Sequence, residues 1–284
     1  DKGETQQEQK MKRRTLLIAA AAVSFSVAMP ALSAETGTLA QVKETGKLRI
    51  GVTSAEPWFY KDPMSEEWTG VGVSMGERMA KDLGVEMVPV ETSWANAVAG
   101  LQANQFDLMF VLDPTEERRQ AIDFPENPLF YYAMGALVAE DSAVTTWEEL
   151  DKPGMRIGVT MGTSLDRNIT EMMTEAQINR FSSNDEAVAA FASGRVETVV
   201  QFHPALIVQY SRLKMGKVLL PTPVEPVETS VGLRKEESSD FKDWVNTTLG
   251  TLYESGVPNE LFETYLSSKN ISSEGVPGLV KESW

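Results

Sequence analysis

Phe106-Asp107-Leu108-Met109-Phe110-Val111-Leu112, followed at once by Asp113-Pro114-Thr115-Glu116-Glu117-Arg118, reads as a buried strand that turns directly into a helix. The run from Phe106 to Leu112 is apolar except at Asp107, the pattern of a strand covered on both faces, as in parallel sheets. Asp113-Pro114-Thr115-Glu116 then fits a helix start, with an N-cap, a proline at the first helical position and an acidic residue at the third. Upstream, Lys47 to Val52 is a short strand and Val71 to Leu83 has helical spacing closed by Gly84. Val85 to Val90 is a second strand, and Trp94 to Gln102 is a helix with Ala97, Val98 and Leu101 on one face. Strands alternating with helices predict a parallel α/β sheet.

The pattern restarts downstream. Gly135 to Glu140 is expected to lead into a second, smaller α/β lobe. That lobe holds a strand at Met155 to Val159, the turn Gly162-Thr163-Ser164, a polar helix to about Glu175, an apolar-faced helix at Asn184 to Ser193 and a strand at Val196 to Gln201. His203-Pro204 reads as a loop beyond it. The Pro-rich stretch Pro221 to Val227 leads back, to a strand at Val231 to Arg234 and a helix at Phe241 to Tyr253. Two crossings between two α/β lobes describe a clamshell whose cleft is the place for a small ligand.

Composition narrows the function. Asp and Glu number 41 against 26 Lys and Arg, a net charge of −15, which repels phosphate backbones and leaves no basic stripe for nucleic acid. With no cysteine and a single histidine, disulfides, thiolate metal sites and Cys nucleophiles are excluded, and no metal or cofactor is expected. No Gly-x-Ser-x-Gly elbow or phosphate loop occurs, and Ser211-Arg212-Leu213-Lys214 matches Ser-x-x-Lys without the other elements of that class. From Met11 the chain carries Lys12-Arg13-Arg14, an apolar run from Leu16 to Met29 and the small-residue stretch ending at Ala34. These are the three parts of a cleavable signal peptide. Its 14 apolar-run residues are fewer than the ~20 that span a bilayer. Residues 1–34 are therefore read as an N-terminal extension and signal peptide, and the absence of a lipidatable Cys favours a free periplasmic protein.

Thr115-Glu116-Glu117-Arg118 with Ile122-Asp123-Phe124 resembles the Thr-x-x-Arg and Asp-Phe stretch of the family-3 bacterial solute-binding proteins, the amino-acid-binding subunits of ABC importers. The resemblance extends through Lys47 to Val52, Gly70, Trp94, Gly158-Val159 with Gly162-Thr163-Ser164, Gly194-Arg195-Val196 and Leu233-Arg234-Lys235. It implies a two-lobed type II periplasmic binding protein fold, α/β, with two crossover hinge strands. Lobe 1 is expected from residues 35–134 and 228–284, and lobe 2 from 135–227. The implied activity is non-enzymatic: a monomer captures a small carboxylate, an amino acid or a derivative of one, and delivers it to an ABC permease in the inner membrane. A periplasmic enzyme of the same fold, of the cyclohexadienyl or arogenate dehydratase type, and a soluble sensor for a membrane receptor remain as alternatives.

By this resemblance Arg118 anchors the ligand carboxylate, its planar fork matching the two oxygens. Thr163 and Ser164, at a helix start, offer free N–H groups to the same carboxylate, although their hydroxyls equally suit N-capping. Phe202 stands where relatives place an aspartate for the ligand ammonium. Asp113 or Glu56 then supplies the counter-charge, against an N-cap for Asp113 and an exposed loop position for Glu56. Trp58, in the Glu56-Pro57-Trp58-Phe59-Tyr60 loop, and Phe202 are the aromatic candidates for the pocket wall.

Overall fold

Two passages of the chain between two sheets organise the protein. The computed structural model describes residues 37–273 and 277–281, so the leader read from residues 1–34 lies outside the described residues. The first part of the chain forms α1 (Thr38–Thr45), β1 (Lys47–Val52), β2 (Tyr60–Lys61), β3 (Trp68–Thr69), α2 (Val71–Leu83), β4 (Glu86–Glu91), α3 (Ala97–Gln102), β5 (Leu108–Leu112), α4 (Glu116–Ala121) and β6 (Phe130–Tyr132). It then crosses at Ala133 and builds β7 (Met134–Val138), β8 (Arg156–Thr160), α5 (Ser164–Met172), β9 (Gln177–Phe181), α6 (Asn184–Ala192), β10 (Thr198–Phe202), α7 (His203–Leu213) and β11 (Lys217–Leu219). Residues 220–226 return it to β12 (Val227–Leu233), α8 (Asp240–Glu254) and α9 (Val257–Ser268). Among the described residues no helix is long and apolar enough to cross a membrane.

One five-stranded sheet has the order β4-β1-β5-β12-β6 and the other β11-β7-β10-β8-β9. Neither is purely parallel. β1 runs parallel to β4 and β5, but β12 is antiparallel to both β5 and β6. In the second sheet β8 is parallel to β9 and β10, while β7 is antiparallel to β10 and β11. The exceptions are the strands beside the crossings, which enter from the other lobe without the crossover helix that enforces parallel pairing. β5 and β10 are buried along their whole length, and β5 is accordingly apolar throughout. Gly84 closes α2 in the left-handed conformation, φ 70°, its N–H reaching the Ala80 carbonyl.

The two lobes repeat one device. Arg49-Ile50-Gly51-Val52 in β1 and Arg156-Ile157-Gly158-Val159 in β8 each meet an acid just ahead of the neighbouring parallel strand. The Asp107 carboxylate accepts from the Arg49 backbone N–H at 2.7 Å and from its guanidinium at 2.6 Å. Glu197 does the same for Arg156, at 2.8 Å to the backbone N–H and 3.0 Å to Nε. Burial separates them: the Asp107 side chain is 1% exposed, the Glu197 side chain 41%. Asp107→Ala is expected to cost about 2–3 kcal/mol, because it strands buried donors, and Glu197→Ala under about 1 kcal/mol. Urea denaturation midpoints of the two variants check the difference, and equal losses contradict it.

His203, expected in a loop, is instead the first residue of α7, with Pro204 in the first turn where the missing N–H costs nothing. It is 1% exposed and holds the first crossing. Its backbone N–H donates to the Ala133 carbonyl at 2.9 Å, and its Nδ1 accepts from the Ala133 N–H at 3.0 Å. A backbone N–H can only donate, so the proton sits on Nε2, which faces the Pro277 carbonyl at 3.0 Å. Burial pushes the imidazole down to about 4, against the favourable pull of the Pro277 and Ala133 contacts. The folded state thus binds fewer protons than the unfolded chain between the unperturbed value of ~6.5 and about 4. Stability from this group is complete above ~6.5 and is lost as pH falls through that window, by about 3 kcal/mol. His203→Asn, which keeps an acceptor near Nδ1, is expected to narrow the gap between denaturation midpoints at pH 7 and pH 4.5. An unchanged gap contradicts the assignment.

Candidate functional site

β5 carries a break in its pairing that aims the site. Phe110 opposes Val231 and Leu112 opposes Ser230 in β12, so Val111 is the extra residue of a β-bulge, with φ 61°. A β-branched residue in this left-handed region is strained by about 1–3 kcal/mol, and bulges of this kind re-aim neighbouring side chains. Val111 and Asp113 both face the cavity between the sheets. That cavity is also lined by Trp58, Trp94, Arg118, Tyr132, Thr163, Ser164, Asn184, Gln201 and Phe202.

Asp113 is not the N-cap of α4. Thr115 is, its Oγ1 accepting from the Arg118 N–H at 3.3 Å, because Pro114 lies one place before the cap and the helix begins only at Glu116. Freed from capping, the Asp113 carboxylate is 5% exposed and accepts from the Tyr132 hydroxyl and, across the cleft, from the Ser164 hydroxyl. Burial raises its pKa, with the Arg118 charge and the two hydroxyls opposing. Burial likewise drives Tyr132 up, reinforced by the Asp113 charge, so its phenol is a fixed donor.

Arg118 leaves the first turn of α4 and is 8% exposed. One Nη donates to the Asp113 carbonyl at 3.0 Å and the other to the Gly162 carbonyl at 3.0 Å. Burial pulls its pKa down and the Asp113 charge pulls it back up, so the guanidinium remains the cation of the cavity. Gly162 has φ 81°, and a Cβ there would lie 2.7 Å from the Ala95 Cα, so only glycine lets this turn approach the opposite lobe. Thr163 spends its hydroxyl on the helix, accepting from the Asp166 N–H at 3.1 Å and donating to the Thr160 carbonyl at 2.7 Å. The first N–H groups of α5 have no intrahelical acceptor, and with the helix dipole they form a positive terminus beside Arg118.

Phe202 stacks on Tyr132 with centroids 3.7 Å apart and planes at 5°. Trp58, 3% exposed, lies against Phe130 at 4.8 Å and edge-on to Tyr132 at 6.2 Å. Both aromatic candidates therefore serve core and cavity at once. Glu56 does not line the cavity. Its carboxylate, 7% exposed, is taken by the Tyr265 hydroxyl, by Arg212 of α7 in the other lobe, and by Lys269 at 3.8 Å. A second pair between the lobes joins Glu117 of α4 to Arg167 of α5.

Sequence reasoning did not single out Asn184 and Gln201. Asn184, first residue of α6, accepts at Oδ1 from the Thr160 hydroxyl at 2.7 Å and from Gln201 Nε2 at 3.0 Å, while Gln201 Oε1 accepts from the Phe202 N–H at 2.8 Å. Gln201 follows Val199-Val200 near the end of β10, and a polar residue after that apolar pair was the available signal. No comparable signal marks Asn184, whose place in the cavity depends on how α6 packs on β8 and β10.

Two α/β lobes enclosing a cavity with one cation, one helix N-terminus and one buried carboxylate define a small-molecule receptor of the clamshell class. The pattern of the bacterial extracellular solute-binding proteins, family 3, matches residues 48–268, and the chain belongs to that family. It is similar to the L-cystine-binding protein TcyJ of Escherichia coli (strain K12), 23% identical over 257 residues, which span 90% of this chain and 96% of that protein. It is also similar to a cyclohexadienyl dehydratase of Pseudomonas aeruginosa, 24% identical over 280 residues, 91% of this chain and 97% of the other. The crystal structure of AncCDT-1, an ancestral amino acid-binding protein described as a precursor of cyclohexadienyl dehydratase, superposes with a TM-score of 0.72. It is 28% identical and the match covers 81% of this chain and 99% of the other. Binding proteins and an enzyme thus stand together among its relatives, and the two-lobed periplasmic binding protein fold is common ground.

Proposed function

We propose that the protein captures a small α-amino acid, or a derivative of one, and releases it unchanged to an ABC permease. The observation that carries this is the convergence, in one cavity, of Arg118, the α5 N-terminus and the buried Asp113 carboxylate. An α-carboxylate suits the first pair, which can grip both of its oxygens. An α-ammonium suits Asp113, whose burial makes an added cation favourable. Phe202 leaves no carboxylate at the place the family resemblance implies, and the bulge at Val111 puts one on the opposite lobe. The charged groups lining the cavity are Asp113 and Arg118. Both are engaged by the amino-acid backbone, so a cationic side chain has no partner there. The moving bodies are residues 35–134 with 228–284 against 135–227, working as a monomer in the periplasm, to which the leader ending at Ala34 directs the chain.

A thermal-shift screen over amino acids identifies the ligand, since a ligand bound only by the folded state raises its apparent stability. Calorimetry is then expected to show Arg118→Ala weakening it at least about tenfold, and Arg118→Lys by less, because a point charge replaces the fork. Unchanged affinity in Arg118→Ala contradicts the proposal, as does binding of L-arginine or L-lysine tighter than any neutral amino acid. The dehydratase relative and the raised pKa of Asp113 favour a second reading, in which that carboxyl serves as a general acid. Turnover of prephenate or arogenate that disappears in Asp113→Asn replaces transport with catalysis.

A further inference from the structure

The amide pair in the second lobe has a fixed orientation, and its free end faces the cavity. The Phe202 backbone N–H can only donate, so the atom of Gln201 it meets at 2.8 Å is the carbonyl oxygen Oε1. Gln201 Nε2 is then a donor, and the atom of Asn184 it meets at 3.0 Å is Oδ1, which also accepts from the Thr160 hydroxyl at 2.7 Å. Both lone-pair directions of Oδ1 are thereby filled. The Asn184 amide nitrogen is left as a two-proton donor with no hydrogen-bond partner among the described residues. The residue is 6% exposed and forms part of the cavity wall. The nitrogen opens on the cavity and is cut off from water when a ligand fills it; an N–H sealed in without an acceptor costs about 1–3 kcal/mol, so a ligand that supplies one is selected over an isostere that does not.

From this we infer that Asn184 is a specificity-determining residue, and that the ligand carries on its side chain an uncharged hydrogen-bond acceptor, an amide carbonyl or a hydroxyl, that receives the Asn184 Nδ2 proton. The inference rests on the amino-acid reading above and deepens it. Charge limits the class further. A cationic side chain meets an N–H donor head-on, and an anionic one finds no second guanidinium, since Arg118 is the basic residue of the wall and serves the α-carboxylate. An apolar side chain of the same shape leaves the Asn184 amide buried and unpaired.

The test is calorimetric titration of the protein with two near-isosteric sets, L-asparagine against L-leucine and L-aspartate, and L-threonine against L-valine. The acceptor-bearing neutral member of the better-bound set is expected to bind at least about tenfold more tightly than its apolar and anionic counterparts. Asn184→Asp keeps the oxygen that Thr160 and Gln201 require, and replaces only the NH₂ group. It is expected to retain the wild-type circular dichroism spectrum, to lose that preference, and to gain affinity for L-2,4-diaminobutyrate. Equal affinity for polar and apolar isosteres in the wild-type protein overturns the inference, and so does an undiminished preference in Asn184→Asp. If these amino acids bind in an Arg118-dependent way without preference, the amino-acid reading stands and Asn184's role falls. If no amino acid binds at all, both fall.

Discussion

The carboxylate of Asp113 is buried on one wall of a cavity whose other charge, Arg118, comes from the same short turn. Isolated, a carboxylate at that depth would cost several kcal/mol, so its surroundings must pay in hydrogen bonds and opposite charge. Tyr132 provides one hydroxyl from the lobe that carries Asp113. Ser164 provides the second from the other lobe. The arrangement with both is therefore the closed one. Arg118 obeys the same rule, with one bond inside its own turn and one to the Gly162 carbonyl across the cleft. Closure and satisfaction of the buried charges are a single event, and a ligand that brings a carboxylate and an ammonium competes for the partners that otherwise bridge the lobes. Such differential contact is what lets a ligand shift an open–closed equilibrium.

The rest of the fold positions that event. Each lobe is tied at the start of its central strands by an Arg-Ile-Gly-Val segment and an acid, Arg49 with Asp107 and Arg156 with Glu197. The crossing between the lobes is pinned by His203, whose neutral imidazole accepts from the Ala133 N–H and whose backbone N–H donates to the Ala133 carbonyl. A hinge residue whose N–H and C=O are both held can still rotate as part of a rigid strand pair. It cannot fray, so the bending falls on its neighbours. Glu56 adds a contact on the rim, because an acid in the lobe-1 loop meets Arg212 of α7. Its burial and its three partners explain why a residue suited by type to hold an ammonium is instead committed to the protein.

The alternation of strand and helix was legible because burial on two faces imposes an apolar run, as at Phe106 to Leu112, and one-sided burial imposes helical spacing, as at Val71 to Leu83. The antiparallel strands beside the crossings were not, since pairing direction depends on which lobe a strand comes from and leaves no periodicity of its own. Local capping rules misplaced the start of α4. Asp113-Pro114 satisfies the chemistry of a helix start two residues early, and only the bulge at Val111, invisible in composition, shows that the aspartate points elsewhere. His203-Pro204 looked like a loop because proline usually interrupts, yet in a first turn it is tolerated. Arg118, Thr163 and Ser164, which line the cavity, were singled out through motif resemblance. Asn184 was not, because the orientation of its amide is set by a chain of hydrogen bonds that begins at a backbone N–H on β10.

That chain of bonds also bears on how a strongly acidic protein, with net charge −15, can line a cavity with groups suited to the carboxylate of the proposed ligand. The long-range field of the surface is screened within roughly 8–10 Å at physiological salt, so it keeps molecules apart without governing the interior. Inside the cavity the effective dielectric is lower, and the local arrangement counts for more: a guanidinium, the open N–H groups of α5, and the Asn184 amide all present protons, while Asp113 presents oxygen. An amino acid with a neutral acceptor on its side chain has the complementary sequence of charges. On the proposed reading, a ligand lacking any one of these groups leaves a partner sealed in and unmatched, and the penalty for that omission, more than the strength of any single contact, would set the discrimination of the cleft.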